Sequence, residues 1–284
     1  MCDHHDDHDH DGHDLDDKGV DRRSFLKTGV AAGAAVAAVA ATASTASAHH
    51  DPNAYAPPAK GALPETGFTL DRPRTALVVT DPQIDFLSPE GVTWGVVGKS
   101  VEHHGTVKNI GRLFAAAKAA GMTTVISPHY YYPTDHGWKF GGPLEKLMHA
   151  LGMFDRSSPY EVSGFDGSGA DFMPEYKPYI HDGKIIICSP HKVYGPEAND
   201  LVLQLRKARI DQVILAGMSA NLCVESHLRE LLEQGFEVAV VKDATAGAML
   251  PEGDGYLAAI INFRYIANAL WSTDEAVTQI LGKA

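Results

Sequence analysis

Cysteine is nearly absent, three in 284 residues, too few for disulfides to carry the fold. Positive charge is scarce as well. Lys and Arg total 24 against 36 Asp and Glu, a formal net charge of −12, and the first 48 residues hold nine Asp against four Lys or Arg, which leaves −7 for the remainder. A mildly acidic domain presents no electrostatic footprint for nucleic acid or anionic lipid, so a small-molecule partner fits it better. The first apolar run is not followed by G-x-G-x-x-G, and no G-x-x-x-x-G-K-[ST] loop occurs, which excludes the usual nucleotide-phosphate cradles. A strongly apolar run is missing too: the stretch from Gly29 is mostly Ala, Gly, Ser and Thr, a poor stop-transfer segment, so no stable membrane anchor is expected. What the chain does have is 44% hydrophobic residues, enough for a full core.

Three regions differ in composition. Residues 1–48 open with MCDHHDDHDHDGHDLDD, a tract of imidazoles and carboxylates able to hold a divalent transition metal loosely but read as a solvated leader. They continue through DRRSFLK (21–27) to Ala46-Ser47-Ala48. This resembles a twin-arginine (Tat) export signal, with Arg22 and Arg23 engaging the export machinery, cleavage near Ala48 and a periplasmic or extracellular destination. Residues 49–73 form an extended arm rich in Pro and Ala, and 74–284 the folded domain.

Within the domain, runs that are apolar at nearly every position alternate with helical periodicity. TALVVT (75–80), MTTVIS (122–127), GKIIICS (183–189), DQVILAG (211–217) and FEVAVVKD (236–243) read as strands. Helices are expected over 107–121, 199–210 with Asn199 as cap, 223–235 and 253–267. Strands buried on both faces and separated by helices specify an α/β fold, a three-layer α/β/α sandwich around a mostly parallel sheet. Residues 128–182, rich in Tyr, Pro, Gly and Phe, are too long for an ordinary loop and read as a lid or pocket wall.

Ligands of such sheets bind beyond the carboxyl ends of the strands. Asp81, His129, Lys192 and the segment Ser219 to Cys223 stand there. Cys188 lies inside a strand pattern and reads as a small buried hydrophobe. Cys223 precedes a helix. A helix N-terminus and a neighbouring ammonium both favour a thiolate, and the free N–H groups of the first turn suit an oxyanion.

DPQIDF at 81–86, Lys192 and GMSANLCV at 217–224 together resemble the isochorismatase-like cysteine hydrolases, which include nicotinamidases and N-carbamoylsarcosine amidohydrolases. The resemblance covers about 75–275. It implies a triad in which Cys223 attacks a carbonyl carbon, Asp81 moves the thiol proton to a leaving amine, and Lys192 holds the pair ionised, with Lys177 and Lys184 as alternative ammonium groups. It also implies a cis peptide joining Met218 to Ser219, and backbone N–H groups of Ser219 and Cys223 as oxyanion donors. Gln83, Phe86, His129 and Trp138 are candidate pocket residues.

Nicotinamidases of that family hold a metal with Asp-x-His and a second His. Here SPHYYYPTDH puts Ser127 in place of the Asp and one extra residue between His129 and His136, an incomplete set. Neither metal nor other cofactor is expected, and nicotinamide is disfavoured. The expected activity is therefore cleavage of a C–N bond in a small amide or carbamoyl compound through a thioester. Two alternatives stand beside it: vinyl ether hydrolysis of the isochorismatase type, and a secreted small-molecule binding protein without activity. The resemblance leaves room for a homo-oligomer. A thiolate outside the cytoplasm would need shielding from oxidation, so burial of Cys223 behind 128–182 is expected.

Overall fold

The computed structural model describes residues 55–282. The Tat-type signal, its arginines and the His/Asp tract lie outside them. Six strands form the main sheet: β1 (Thr75–Thr80), β2 (Thr123–Ser127), β3 (Ile186–Ile187), β4 (Gln212–Gly217), β5 (Glu237–Val241) and β6 (Ala269–Trp271). Their spatial order is β3-β2-β1-β4-β5-β6, all neighbours parallel. Every residue of β1 and β4 is buried, as expected of central strands covered on both faces.

Side chains alternate between the two faces. Leu77 and Val79 of β1 join a core with Ile110, Leu113, Phe114, Ala276 and Ile280, from helices α2 (Thr106–Ala120) and α7 (Thr273–Leu281). Ala76 and Val78 face a second core with Leu201, Leu228 and Ile260, from α4 (Leu201–Lys207), α5 (Glu225–Glu233) and α6 (Gly255–Ile266). The result is the three-layer α/β/α sandwich. A helix α1 (Trp94–His104) also packs on the first face, while α3 (Pro143–Leu151) lies between β2 and β3.

Several boundaries differ from the expectation. Helix α1 has no clear signal in the sequence because WGVVGKSVEHH carries two glycines, a composition of low helical propensity, and its N-cap Thr93 makes no side-chain cap bond. Gly98 is needed there, since a Cβ would meet the Trp94 ring at 2.6 Å. Regular β3 has two residues instead of seven, although pairing continues through Cys188 N–H to the Ile126 carbonyl and His191 N–H to the Pro128 carbonyl. The interval 128–182 is no detached lid: Tyr131, Phe154 and Tyr176 are fully buried in the first core. The described part of the arm, from Tyr55, is docked, Phe68 packing edge-on against Trp271 and Tyr55 against Tyr256.

Where β4 ends, Gly217 adopts φ +117, and a Cβ there would lie 2.0 Å from the Thr80 carbonyl oxygen. Only glycine lets the turn pass this close to the end of β1. Gly217→Ala is expected to destabilise the fold by well over about 1 kcal/mol, the usual penalty for a wrong backbone region alone. Denaturant unfolding checks this, and an unchanged midpoint would contradict it.

Candidate active site

Register positions the site. Thr80 pairs with Ser127 on one side and Gly217 on the other, so three strands end at one level. Asp81 follows in the left-handed region at φ +46, its N–H bonded to the Ser127 carbonyl, a conformation Asp tolerates better than most residues. Past β4 the Met218–Ser219 peptide is cis. Met218 N–H donates to the Thr80 carbonyl and Ala220 N–H to the Ala246 carbonyl, tying the turn to β1 and to the segment after β5. A π-helical turn, Ala220–Val224, then carries Cys223 into α5.

Asp81, His129, His191 and Cys223 form one buried cluster, each offering a polar atom within 4.8 Å of the others'. None is more than 3% exposed. His191 Nε2 lies 2.8 Å from Asp81 Oδ1. Asp81 bears on the Cys223 thiol by charge and by hydrogen bond, while its Oδ2 has no partner at strict hydrogen-bond geometry. The N–H groups of Ser219 and Cys223 lie close enough to the sulfur to favour its ionised form, so the two expected oxyanion donors stand on the side of the expected nucleophile. Tyr131 and Tyr194 lie near enough to feel the charge of Cys223.

Lys192 is elsewhere. Its ammonium donates to Asp135 Oδ2 at 2.5 Å and to the Tyr130 carbonyl at 3.0 Å, over the Tyr132 ring. No hydrogen bond or ion pair joins it to Asp81 or Cys223, so the expected place for an ammonium beside the carboxylate is taken by His191. Parity explains the exchange. His191 bridges His129 in parallel register and turns inward, whereas the next residue of an extended chain points to the opposite side. Lys177 is bound to Asp166 and Asp171, and Lys184 is exposed before β3. A sequence signal for His191 exists: Ser-Pro-His occurs twice, at 127–129 and 189–191, at the ends of neighbouring parallel strands.

The other candidates divide. The Gln83 amide is wholly used by backbone, donating to the His129 and Ala170 carbonyls and accepting the His129 N–H, so it clamps His129 in place. Phe86 packs on Phe154 in the core. Trp138 stands 40% exposed with its ring edge-on to Tyr131. His136 is bonded to Asp155 and does not join His129.

Burial governs the charges. It raises Asp81 to about 6, against smaller opposing effects of His129, Cys223 and His227. His129, His191 and His227 are each lowered to about 3, burial again leading. The Cys223 thiol is pushed well above its ordinary value by burial, then by the Asp81 charge. The expected thiolate is therefore replaced by a resting thiol, because the sulfur is buried and its charged neighbour is the Asp81 carboxylate. His227 is the floor of the site: Nδ1 donates to the Cys223 carbonyl, and Nε2 meets the Ser127 hydroxyl, which also accepts from Asn199.

A model of the isochorismatase domain matches residues 75–275. The chain therefore belongs to the isochorismatase family, and with it to the hydrolases. It is similar to the ureidoacrylate amidohydrolase of Variovorax paradoxus, 28% identical over 72% of this chain and 82% of the relative. Among solved structures, a cysteine hydrolase from Pseudomonas syringae pv. phaseolicola matches with TM-score 0.64 at 20% identity, over 78% of this chain and 99% of that one. The nicotinamidase of Bacillus subtilis matches with TM-score 0.53 at 20% identity, over 70% and 99%. These two share the fold.

Three buried neutral imidazoles imply acid sensitivity. Between about pH 6 and 4 the unfolded chain protonates all three at their ordinary value near 6.5, while the folded cluster takes up one proton, on Asp81. The unfolded state then binds two more protons, so these groups should cost roughly 3 kcal/mol of stability per pH unit as pH falls. Urea unfolding across that range is the measurement, and stability that stays level or rises would contradict the assignment.

Proposed function

We propose that the protein is an exported cysteine hydrolase that cleaves a C–N bond of a small amide, carbamoyl or related compound through a thioester, with Asp81, His191 and Cys223 as the working set. The observation that carries this reading is the convergence, in one dry cluster, of a thiol, a carboxylate with a raised pKa and two N–H donors. The amidohydrolase relative supports the substrate class. Export rests on Arg22, Arg23 and Ala46-Ser47-Ala48 in the sequence.

The chemistry follows from the charges. The cluster holds one negative charge near neutrality, on Asp81, with the His191 Nε2–H as its donor. Because the free thiolate is disfavoured, the thiol proton passes to Asp81 as the S–C bond forms. The oxyanion accepts from the Ser219 and Cys223 N–H groups, the contact worth most in such reactions. Asp81 then gives its proton to the departing nitrogen as the C–N bond breaks, leaving a thioester. Water, deprotonated by Asp81, hydrolyses it to a carboxylic acid and returns the proton to sulfur. His191 is a positioning residue that holds Asp81 in its ionised, oriented form, the part the resemblance gave to Lys192.

Vinyl ether hydrolysis needs no nucleophile, so Cys223 separates the two readings. Cys223→Ala should lower kcat/KM roughly 1,000-fold or more, measured as ammonia or amine release from an amide and urea panel; activity retained by that variant would move the protein to the other chemistry. His191→Ala should remove about 10- to 100-fold and shift the acid limb of the kcat/KM profile upward, because the Asp81 carboxylate loses its donor, with His191→Gln restoring part of both. Lys192→Met should cost less than about threefold. A Lys192→Met loss exceeding that of His191→Ala would return the role to the lysine. In the parent enzyme kcat/KM should fall below about pH 6 as Asp81 takes up its proton.

A further inference from the structure

The same cluster has lone pairs left over. Asp81 Oδ2, His129 Nδ1 and His191 Nδ1 are buried and have no hydrogen-bond partner, on residues no more than 1% exposed. Buried polar atoms in folded proteins are almost always satisfied. These three are acceptors, and the remaining neighbour is a thiol, so what the cluster calls for is an electrophile. The tautomers are consistent with this. His129 Nε2 meets the Lys192 carbonyl at 3.0 Å, which assigns the ring proton to Nε2 and leaves Nδ1 bare. A ring N–H given to a backbone carbonyl is the usual outer support of a metal-bound histidine.

We propose that Asp81, His129, His191 and Cys223 form a site for a zinc-class divalent ion, whose binding excludes hydrolysis because it takes both the nucleophile and its proton acceptor. One ligand atom from each of the four residues lies within 4.8 Å of all the others. Tetrahedral zinc, with bonds of 2.0 to 2.3 Å, sets its ligands about 3.5 Å apart, so the shell closes once the His191 ring turns to exchange its Asp81 hydrogen bond for the metal. Two imidazoles, a thiolate and a carboxylate are a ligand set for zinc, cobalt or copper and a poor one for magnesium or calcium. Charge favours loading as well: the Cys223 proton leaves to solvent as the S–M bond forms, and the +2 ion then balances one thiolate and one carboxylate. A dry site bearing net charge becomes a neutral one, which lowers the cost of burial. This set is different from the Asp-x-His pattern that Ser127 interrupts. In an oxidising compartment it would also shield the sulfur from oxidation. Metal binding stands independently of turnover; only its inhibitory consequence rests on the proposed hydrolysis.

The test uses the full chain, stripped with a chelator and titrated with Co²⁺. A thiolate-to-cobalt charge-transfer band is expected, lost in Cys223→Ser and requiring at least tenfold more metal in His129→Asn. Zinc should also protect Cys223 from iodoacetamide in the unaltered protein, read by peptide mass, and should suppress turnover until a chelator is added. The alkylation readout needs no variant and no substrate, so it holds if a variant fails to fold or the hydrolase reading fails. The alkylation is run at a pH and for a time at which the stripped protein reacts measurably at Cys223, and the proposal is overturned if zinc leaves that rate unchanged. It is also overturned if the band survives unchanged in Cys223→Ser, which would assign it to Cys2 of the His/Asp tract, or if cobalt gives no thiolate band at all.

Discussion

Parallel register at the carboxyl end of the sheet is the constraint on which everything else depends. Thr80, Ser127 and Gly217 stand side by side, so the residues that follow each strand emerge at one level from neighbouring positions. Asp81 and the turn before Cys223 are then close without any long side chain having to reach. The continuation of pairing beyond regular β3, through Cys188 and His191, extends the level by one more strand and adds an imidazole. Gly217 is the tightest point of this arrangement, because the Thr80 carbonyl occupies the space a side chain would need.

Burial then decides the chemistry. In water the cluster would hold a carboxylate of pKa near 4 and histidines near 6.5. Here desolvation raises the acid and lowers the bases, which leaves a single charge in a dry site. A carboxylate near 6 is a better proton shuttle at neutral pH than one near 4, since it accepts and releases a proton with less free-energy change. The same desolvation keeps the sulfur as a thiol, which limits its exposure to oxidants as a free thiolate. Bare imidazole nitrogens are the other consequence of packing three histidines where few donors reach.

Much of the fold was legible in the sequence because the central strands are apolar at every position and α2 has clean helical spacing; β1 and β4 fall on the expected stretches almost residue for residue. The elements that were not legible are those whose local preference is weak. Helix α1 contains Gly95 and Gly98, and α3 sits in an aromatic segment that reads as irregular. In the site, Asp81 and Cys223 could be found from DPQIDF and GMSANLCV. His191 could not be separated from Lys192 by composition alone. Which of two adjacent residues points inward depends on pairing parity, and parity depends on where a two-residue strand meets β2. The burial that turns the expected thiolate into a thiol is likewise a property of tertiary packing, with His129 and Tyr131 of the interval 128–182 beside the sulfur, and has no signature at Cys223 itself.

The account turns on His191 as a neutral donor to an ionised Asp81. Nitrogen NMR of protein labelled at histidine tests it most directly, because the two ring nitrogens report tautomer and charge separately. The account predicts a His191 ring protonated at Nε2 only, unchanged from pH 8 down to about 5, well above its folded pKa of about 3. A His191 ring that titrates near its ordinary value of about 6.5, or that carries its proton on Nδ1, would contradict it.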